Sequence, residues 1–265
     1  MNLRTLEPAN HASSLGLKES RTLVASPLWP RIRAFLWDFA SLCDPARLAA
    51  ALALPETGSP SPESAADRAV TGNPSPESEA ARAVAGHTWP ASPRLARAAE
   101  QALGLSPFFH PFPATDSSRL LLLSREDYDR LAQFLGTVAF APALRRVTAG
   151  AEVRALKASL PGVYPEALAF AAYFHKHDSL FKKVAPGDAP ANAEAIGAAG
   201  HSILAAALSD LPPELLLRQR LRFPAGSPAD RALGAGGSSP AGEALAAARL
   251  ALKLSNPQEY QQCFS

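Results

Sequence analysis

Two histidines and three carboxylates are the side chains whose types and spacing could bind a metal or transfer protons. His175 and His177 stand in a His-Lys-His-Asp run, but paired ligands on a helix are three or four residues apart, not two. A solvated helix end suits them better, because a histidine is favourable near the negative pole of the helix dipole. Glu126, Asp127 and Asp129 likewise fit the opening turn of a helix better than a proton-transfer pair.

Other signatures of catalysis are missing from the sequence. It contains no glycine-rich phosphate loop followed by Lys, no G-x-S-x-G and no H-E-x-x-H. His201 is a lone imidazole, which is more often a core or surface group than a base. An enzyme without a cofactor, its site assembled in space from His110, His201 and scattered carboxylates, stays open as an alternative. We predict a non-enzymatic protein with no catalytic residue, no cofactor and no metal.

The composition favours helices. The chain has 265 residues, of which 47% are hydrophobic and 7% aromatic. Ala and Leu dominate over the β-branched residues that favour strands. The 25 prolines require either that many helices are short or that some of the chain is loose. We therefore predict a mainly α fold: a multi-helix single domain of short helices with proline breaks, with at most one short extended segment.

Charge, cysteine and hydropathy patterns narrow the class of protein. A net charge of +2 is too close to neutral to imply a nucleic-acid or membrane partner. Cys43 and Cys263 are too far apart in sequence to make a disulfide framework, which indicates a reducing compartment. No apolar run approaches the roughly 20 residues that span a bilayer, and the first 25 residues lack the apolar stretch of a signal peptide. We expect a soluble, cytoplasmic protein.

The elements that must position any site are clearest between Ser124 and Ser159. Ser124 and Asp127 resemble a capping box at the start of a helix. The apolar residues after them recur at helical spacing and predict one buried face: Tyr128, Leu131, Phe134, Leu135 and Val138. Pro142 suits the start of a second helix, Ala143 to Val147. A third helix carries Glu152 in its first turn and buries Val153, Leu156 and Leu160.

The domain boundaries follow from changes in composition. Residues 1–26 are polar and unpatterned and predict a flexible N-terminal tail. Residues 27–265 form the helical domain, in which Asp44 caps a helix that starts at Pro45. Within it, 58–86 is a low-complexity tandem repeat in which GSPSPESAADRAVT is followed by GNPSPESEAARAVA. Because the repeat has few large apolar groups, we predict an insertion outside the core.

The C-terminal part is harder to assign. Arg218, Arg220 and Arg222 alternate with other residues, and this period of two indicates an extended piece, although the end of a helix would also fit. Residues 225–242, rich in Gly, Ser and Pro, predict a loop. A final helix is expected to end at Asn256-Pro257.

Clustered arginines are the candidate binding residues. Arg145 and Arg146, with Arg154 and Lys157 close behind, form either a solvated helix face or a docking patch for an acidic partner. A protein without an active site must act through its exposed surface. We therefore take Arg145, Arg146, Arg218 and Arg220 as the partner-binding candidates.

Three segments, in order, resemble one family. AFLWDFASLCDPARLAAAL is similar to the opening of the SctK (YscK-like) accessory proteins of bacterial type III secretion systems. LAQFLGTVAFAPALRRVTAGAEVRALKASL resembles their central segment, and AAGHSILAAALSDLPPELLLRQRLRFP their C-terminal part. The tail and the tandem repeat depart from the compact pattern of that family and leave the domain edges open.

The resemblance implies a specific role. SctK-like proteins are helical adaptors of the injectisome sorting platform, without catalysis or cofactor, and they connect the cytoplasmic domain of the SctD-type inner-membrane ring protein to the SctQ-type pod protein. The protein would then be peripheral at the cytoplasmic face of the inner membrane. A helical DNA-binding regulator, with residues 145–160 as a helix-turn-helix, is the other alternative. The near-neutral charge and the lack of one basic recognition helix argue against it.

Overall fold

The computed structural model describes residues 27–37, 39–53, 93–105, 112–147, 149–185, 192–236 and 240–264. These residues form α-helices and short 3₁₀ helices joined by turns, and none of them lies in a β-strand. The mainly α fold is therefore confirmed. The predicted tail at 1–26 and the tandem repeat at 58–86 lie outside the described residues and stay predictions.

The first helices come from both sides of the repeat. They are α1 (Trp29–Trp37), a 3₁₀ turn (Phe39–Ser41), α2 (Pro45–Ala53) and α3 (Pro93–Ala102). α2 begins as predicted, because an Asp44 carboxylate oxygen accepts hydrogen bonds from the amides of Ala46 (3.1 Å) and Arg47 (3.3 Å). The helices α2 and α3, which stand on either side of the repeat in sequence, pack against each other.

The remaining helices follow without a long interruption. They are α4 (Asp116–Leu120), α5 (Arg125–Ala139), α6 (Ala141–Leu144), α7 (Gly150–Ser159), α8 (Val163–Phe170), a 3₁₀ helix (Ala171–His177), α9 (Asp178–Val184), α10 (Ala193–Ala207), α11 (Pro213–Leu221), α12 (Pro228–Ala235), α13 (Ala241–Ser255) and α14 (Pro257–Phe264). The short α6 lies earlier than the predicted Ala143 to Val147, because Pro142 occupies its second position and not a position before it.

The predictions for the C-terminal part need three corrections. Arg218 and Arg220 lie on α11 and Arg222 directly follows it, so the helical alternative is right and the extended piece is wrong. The predicted loop at 225–242 contains α12, whose start is capped by the Ser227 hydroxyl accepting from the Asp230 amide at 3.2 Å. The expected final helix is followed by α14, where Asn256 accepts a hydrogen bond from the Glu259 amide at 3.2 Å.

Helix α5 is the centre of the fold. It packs against α10 on one side and α8 on another, and α13 contacts both α5 and α10. The Ser124 hydroxyl accepts from the Asp127 amide at 3.0 Å, as the capping box predicted. The predicted apolar face is buried: Tyr128, Leu131, Phe134, Leu135 and Val138. Leu156 of α7 and Leu160 after it are buried as well.

The α5–α10 contact brings backbone against backbone. A Cβ atom added at Gly136 would overlap the carbonyl group of Ile196, and one added at Gly200 would overlap the carbonyl group of Ala132. Each glycine therefore faces the main chain of the opposite helix. Absence of a side chain at both positions is what permits this close approach.

The N-terminal helices are fastened to the C-terminal ones by polar contacts. Arg31 of α1 forms a salt bridge with Glu259 of α14. The Asp44 amide donates to the Leu221 carbonyl at 2.9 Å, and the Asp44 carboxylate lies 3.4 Å from the Arg125 guanidinium. Residues 27–53 are thus an integral part of the fold.

Candidate partner-binding surface

The structure brings His201 next to a carboxylate, which is the arrangement that the enzyme alternative requires. His201 on α10 places Nε2 3.4 Å from Oδ1 of Asp129 on α5, and its ring stacks on Tyr128 at 6.0 Å. Burial lowers the pKa of His201 to about 4, and burial also raises the pKa of Asp129. The imidazole is therefore neutral at physiological pH.

This histidine does not face an open site. A surface groove of about 590 Å³ is lined by Arg125, Asp129 and Arg130, among others, but neither His201 nor Tyr128 reaches it. The Nδ1 atom of His201 is buried and has no hydrogen-bond partner among the described residues. The pair joins α5 to α10, and His110, the other histidine of the enzyme alternative, lies outside the described residues.

The buried state of His201 predicts acid sensitivity. The pKa of His201 is about 4 in the folded chain and about 6.5 in the unfolded chain. Between these two pH values the unfolded chain therefore binds a proton at His201, whereas the folded chain does not. Stability contributed by neutral His201 is therefore complete above pH 6.5 and is lost as pH falls toward 4, by about 3 kcal/mol. Urea unfolding of the wild type and His201→Gln across this range should show a steeper loss for the wild type. Parallel curves would contradict the prediction.

Both thiols are structural groups. The Cys43 thiol donates to the Leu221 carbonyl at 3.3 Å, and burial raises its pKa to about 11. Burial beside Glu259 raises the pKa of Cys263 to about 12. A thiol is a nucleophile or metal ligand only when ionised, so neither is activated. Across the described ranges, no cluster of His, Cys, Asp and Glu could hold a metal ion.

Of the four candidate arginines, Arg145 and Arg146 lie on the surface directly after α6. The Arg146 Nε donates to the Pro142 carbonyl at 3.2 Å. Arg154 and Lys157 on α7 are exposed too. Leu156 is the buried residue of that helix, so α7 lies at the periphery with its cations in solvent.

The other two candidates have structural surroundings. Arg218 is only 1% exposed, and its guanidinium lies 5.4 Å from the centre of the Phe39 ring and 4.0 Å from Glu100. Arg220 is partly exposed and donates from Nε to Oδ1 of Asp230 at 2.5 Å. In an extended piece the alternating arginines would share one polar side. Because α11 is a helix, they point in different directions, and Arg218 lies inside the fold.

Sequence reasoning missed the role of Arg222. Its side chain is 4% exposed, and its guanidinium donates to the carbonyls of Leu121 (2.9 Å) and Leu123 (2.7 Å). Arg218 and Arg222 are four residues apart, a spacing that puts both on one side of a helix. That spacing could have indicated that Arg222, like Arg218, faces the core. The carbonyls that accept its hydrogen bonds could not be predicted, because they lie about 100 residues away in sequence.

The helix-turn-helix alternative is not supported by the geometry. Among the described residues of 145–160, α7 is the one helix, and the helix before this range has only four residues, Ala141–Leu144. In the DNA-binding motif the first helix crosses the phosphate backbone and supports the second, which a single turn cannot do.

The described residues form an all-helical domain that carries exposed cations on and before α7. A family model for YOP proteins translocation protein K (YscK) matches residues 84–264. This match covers more than half of the chain, so the protein belongs to that family, the SctK family of type III secretion proteins. It is a family of secretion-system accessory proteins.

Other comparisons add no relative. No curated protein and no solved structure matches the chain. Of the helices that the structure describes, none is long and apolar enough to cross a membrane. The family match includes α3 to α14 but leaves out α1 and α2, although these two pack on the matched region.

Proposed function

We propose that this protein is a non-enzymatic cytoplasmic adaptor in the sorting platform of a bacterial type III secretion system. It links the cytoplasmic domain of the SctD-type ring protein to the SctQ-type pod protein, and these partners hold it at the inner membrane. Membership of the YscK family over residues 84–264 is the observation that carries the proposal. The helical fold, with exposed cations on a peripheral helix, supports it.

The proposed contact surface is the stretch from Arg145 to Lys157. Arg145, Arg146, Arg154 and Lys157 are exposed, and the one acidic residue within the stretch is Glu152. An excess of positive charge on a peripheral element steers an acidic partner into contact and fixes its orientation. Few core contacts hold α7, so a partner can bind there without disturbing the core.

Charge reversal at this stretch is expected to weaken binding without unfolding the protein. In Arg145→Glu/Arg146→Glu, pull-down of at least one partner should fall sharply at low salt, because encounter is slowed. Stability should change by no more than about 0.5 kcal/mol, since both residues are exposed. The SctD cytoplasmic domain and the SctQ protein are tested separately, each at two salt concentrations.

The matched control reverses two exposed cations elsewhere, in Arg97→Glu/Lys253→Glu, which has the same net charge. Binding by the control should match the wild type. Equal binding of both partners by the Arg145→Glu/Arg146→Glu variant would reject this surface. Failure of the wild-type protein to bind either partner would reject the adaptor function itself. Arg218→Glu is unsuitable for this test, because burial of a carboxylate there should unfold the protein.

A further inference from the structure

The 3₁₀ helix Ala171–His177 sorts its side chains into distinct rows. With three residues per turn, side chains at positions i and i+3 are eclipsed. Ala171, Phe174 and His177 form the inward row, in which Phe174 is buried and its ring contacts those of Phe134 and Phe181. The other rows of the 3₁₀ helix are therefore left for the surface.

One outward row is aromatic and basic. Tyr173 is 62% exposed, the highest value among large apolar side chains in the described part of the chain. Its ring centre lies 6.0 Å from that of Phe170, the last residue of α8, which is half-buried against the core. Lys176 follows one turn later and is exposed. We call Phe170, Tyr173 and Lys176 the aromatic–lysine row.

Further cations follow in the next element. Lys182 and Lys183 are exposed in the last turn of α9. None of these three lysines forms a salt bridge with another residue that the structure describes. Two acids lie in the same region. Asp178 is in the first turn of α9, where a carboxylate interacts favourably with the helix dipole, and Glu243 accepts a hydrogen bond from the Ser179 hydroxyl at 2.8 Å.

We infer that the aromatic–lysine row is a second docking surface, separate from the Arg145–Lys157 stretch, for an acidic polypeptide segment that carries an apolar side chain. Tyrosine is enriched among residues that dominate interface energies, because it offers a large apolar area at a low entropic cost. The apolar side chain would pack on Phe170 and Tyr173. Carboxylates on either side would pair with Lys176 and the lysines of α9. This inference rests on the proposed adaptor function.

A polypeptide fits this row better than a nucleic acid or a membrane. The whole chain carries a net charge of only +2, whereas a nucleic-acid-binding domain is expected to carry a strong excess of positive charge. Single-strand binding also uses several aromatic side chains on which successive bases stack, whereas Tyr173 is the one strongly exposed ring here. Interfacial membrane helices need a broad apolar face, which a row of two rings does not supply.

Binding by the full-length chain tests the inference directly. The probe is a fluorescent 15-residue peptide of glutamates with two leucines, and its binding is followed by anisotropy and by amide NMR shifts. We expect shifts centred on Phe170, Tyr173 and Lys176. Tyr173→Ala and Lys176→Glu should each raise Kd by about tenfold, whereas Tyr173→Phe should keep the wild-type Kd. Thermal melts of all variants should coincide, because these side chains are exposed.

Several arms separate the possible outcomes. A peptide with lysines in place of glutamates, a thymidine oligonucleotide and anionic phosphatidylserine vesicles are titrated in parallel, and tighter binding of any of them would overturn the inference. Unchanged peptide binding by Tyr173→Ala would also overturn it. If Tyr173→Ala pulls down both partner proteins normally while Arg145→Glu/Arg146→Glu does not, the second surface is rejected and the adaptor function stands.

Discussion

Gly136→Ala and Gly200→Ala are each expected to destabilise the protein by about 3 kcal/mol. A methyl group at either position would overlap a carbonyl group of the opposite helix. Main chain cannot rotate away as a flexible side chain could, so α5 and α10 would have to separate. Because these helices form the centre of the core, separation would loosen the packing on both sides.

Gly197→Ala is the matched control. Gly197 lies in the same helix as Gly200, but a Cβ atom there would meet nothing within 4 Å. Alanine favours a helix over glycine by up to about 1 kcal/mol, so this variant should be as stable as the wild type or more so. Urea unfolding of the three variants measures the difference. A loss of less than 1 kcal/mol in Gly200→Ala would mean that the two helices are not in backbone contact.

Arg222→Met is expected to cost about 3–5 kcal/mol of folding free energy. The Arg222 guanidinium donates to the main-chain carbonyls of Leu121 and Leu123 and to the Gln219 side chain. Methionine keeps much of the volume but leaves these buried acceptors without a donor. Burial lowers the pKa of Arg222 to about 10, which still leaves the side chain charged at neutral pH.

Two further variants separate charge from geometry in this prediction. Arg222→Lys keeps the charge but loses the planar fork that reaches two carbonyls at once, so an intermediate loss is expected. Arg145→Met changes an exposed arginine and should alter stability by no more than about 0.5 kcal/mol. Equal stability of Arg222→Met and Arg145→Met, measured by urea unfolding, would contradict the structural role of Arg222.

Local patterns in the sequence predict the centre of this fold well. The spacing from Tyr128 to Val138 predicts the buried face of α5, because a long stretch with this period forms a stable helix only with its apolar side toward the core. The cap at Asp44 is predictable for a similar reason, since its hydrogen bonds are made within three residues. Such features depend on neighbours in sequence and need no knowledge of the rest of the chain.

Features that depend on distant residues could not be predicted in this way. The spacing of the arginines from Arg218 to Arg222 fits both a strand, with a period of two, and a helix, with a spacing of four. The carbonyls of Leu121 and Leu123, which accept hydrogen bonds from Arg222, lie far away in sequence, so the local pattern alone does not distinguish the two. Helix α12 was missed because the Gly, Ser and Pro residues on both sides of it indicated a loop over the whole stretch, although Ala229 and Leu233 give it a buried apolar side. Its cap, Ser227 followed by Asp230, was a readable sign of a helix start.

The candidate surfaces show the same division. The exposure of Arg145 and Arg146 was predictable, because two adjacent charged residues at the end of a short helix favour solvent. The aromatic–lysine row was missed, although its members recur at every third residue, a spacing that places side chains on one side of an α-helix as well as of a 3₁₀ helix. The family model that matches residues 84–264 identifies the class of protein.

The pairing of α2 with α3 has a consequence for how this chain can change during evolution. The sequence predicts that the repeat between these two helices lies outside the core. The entropy of closing a flexible connection grows only with the logarithm of its length, at about 0.6 kcal/mol for each doubling. Under that prediction, and with α2 and α3 in contact, a 14-residue unit could be duplicated between them at a cost that the folded domain tolerates.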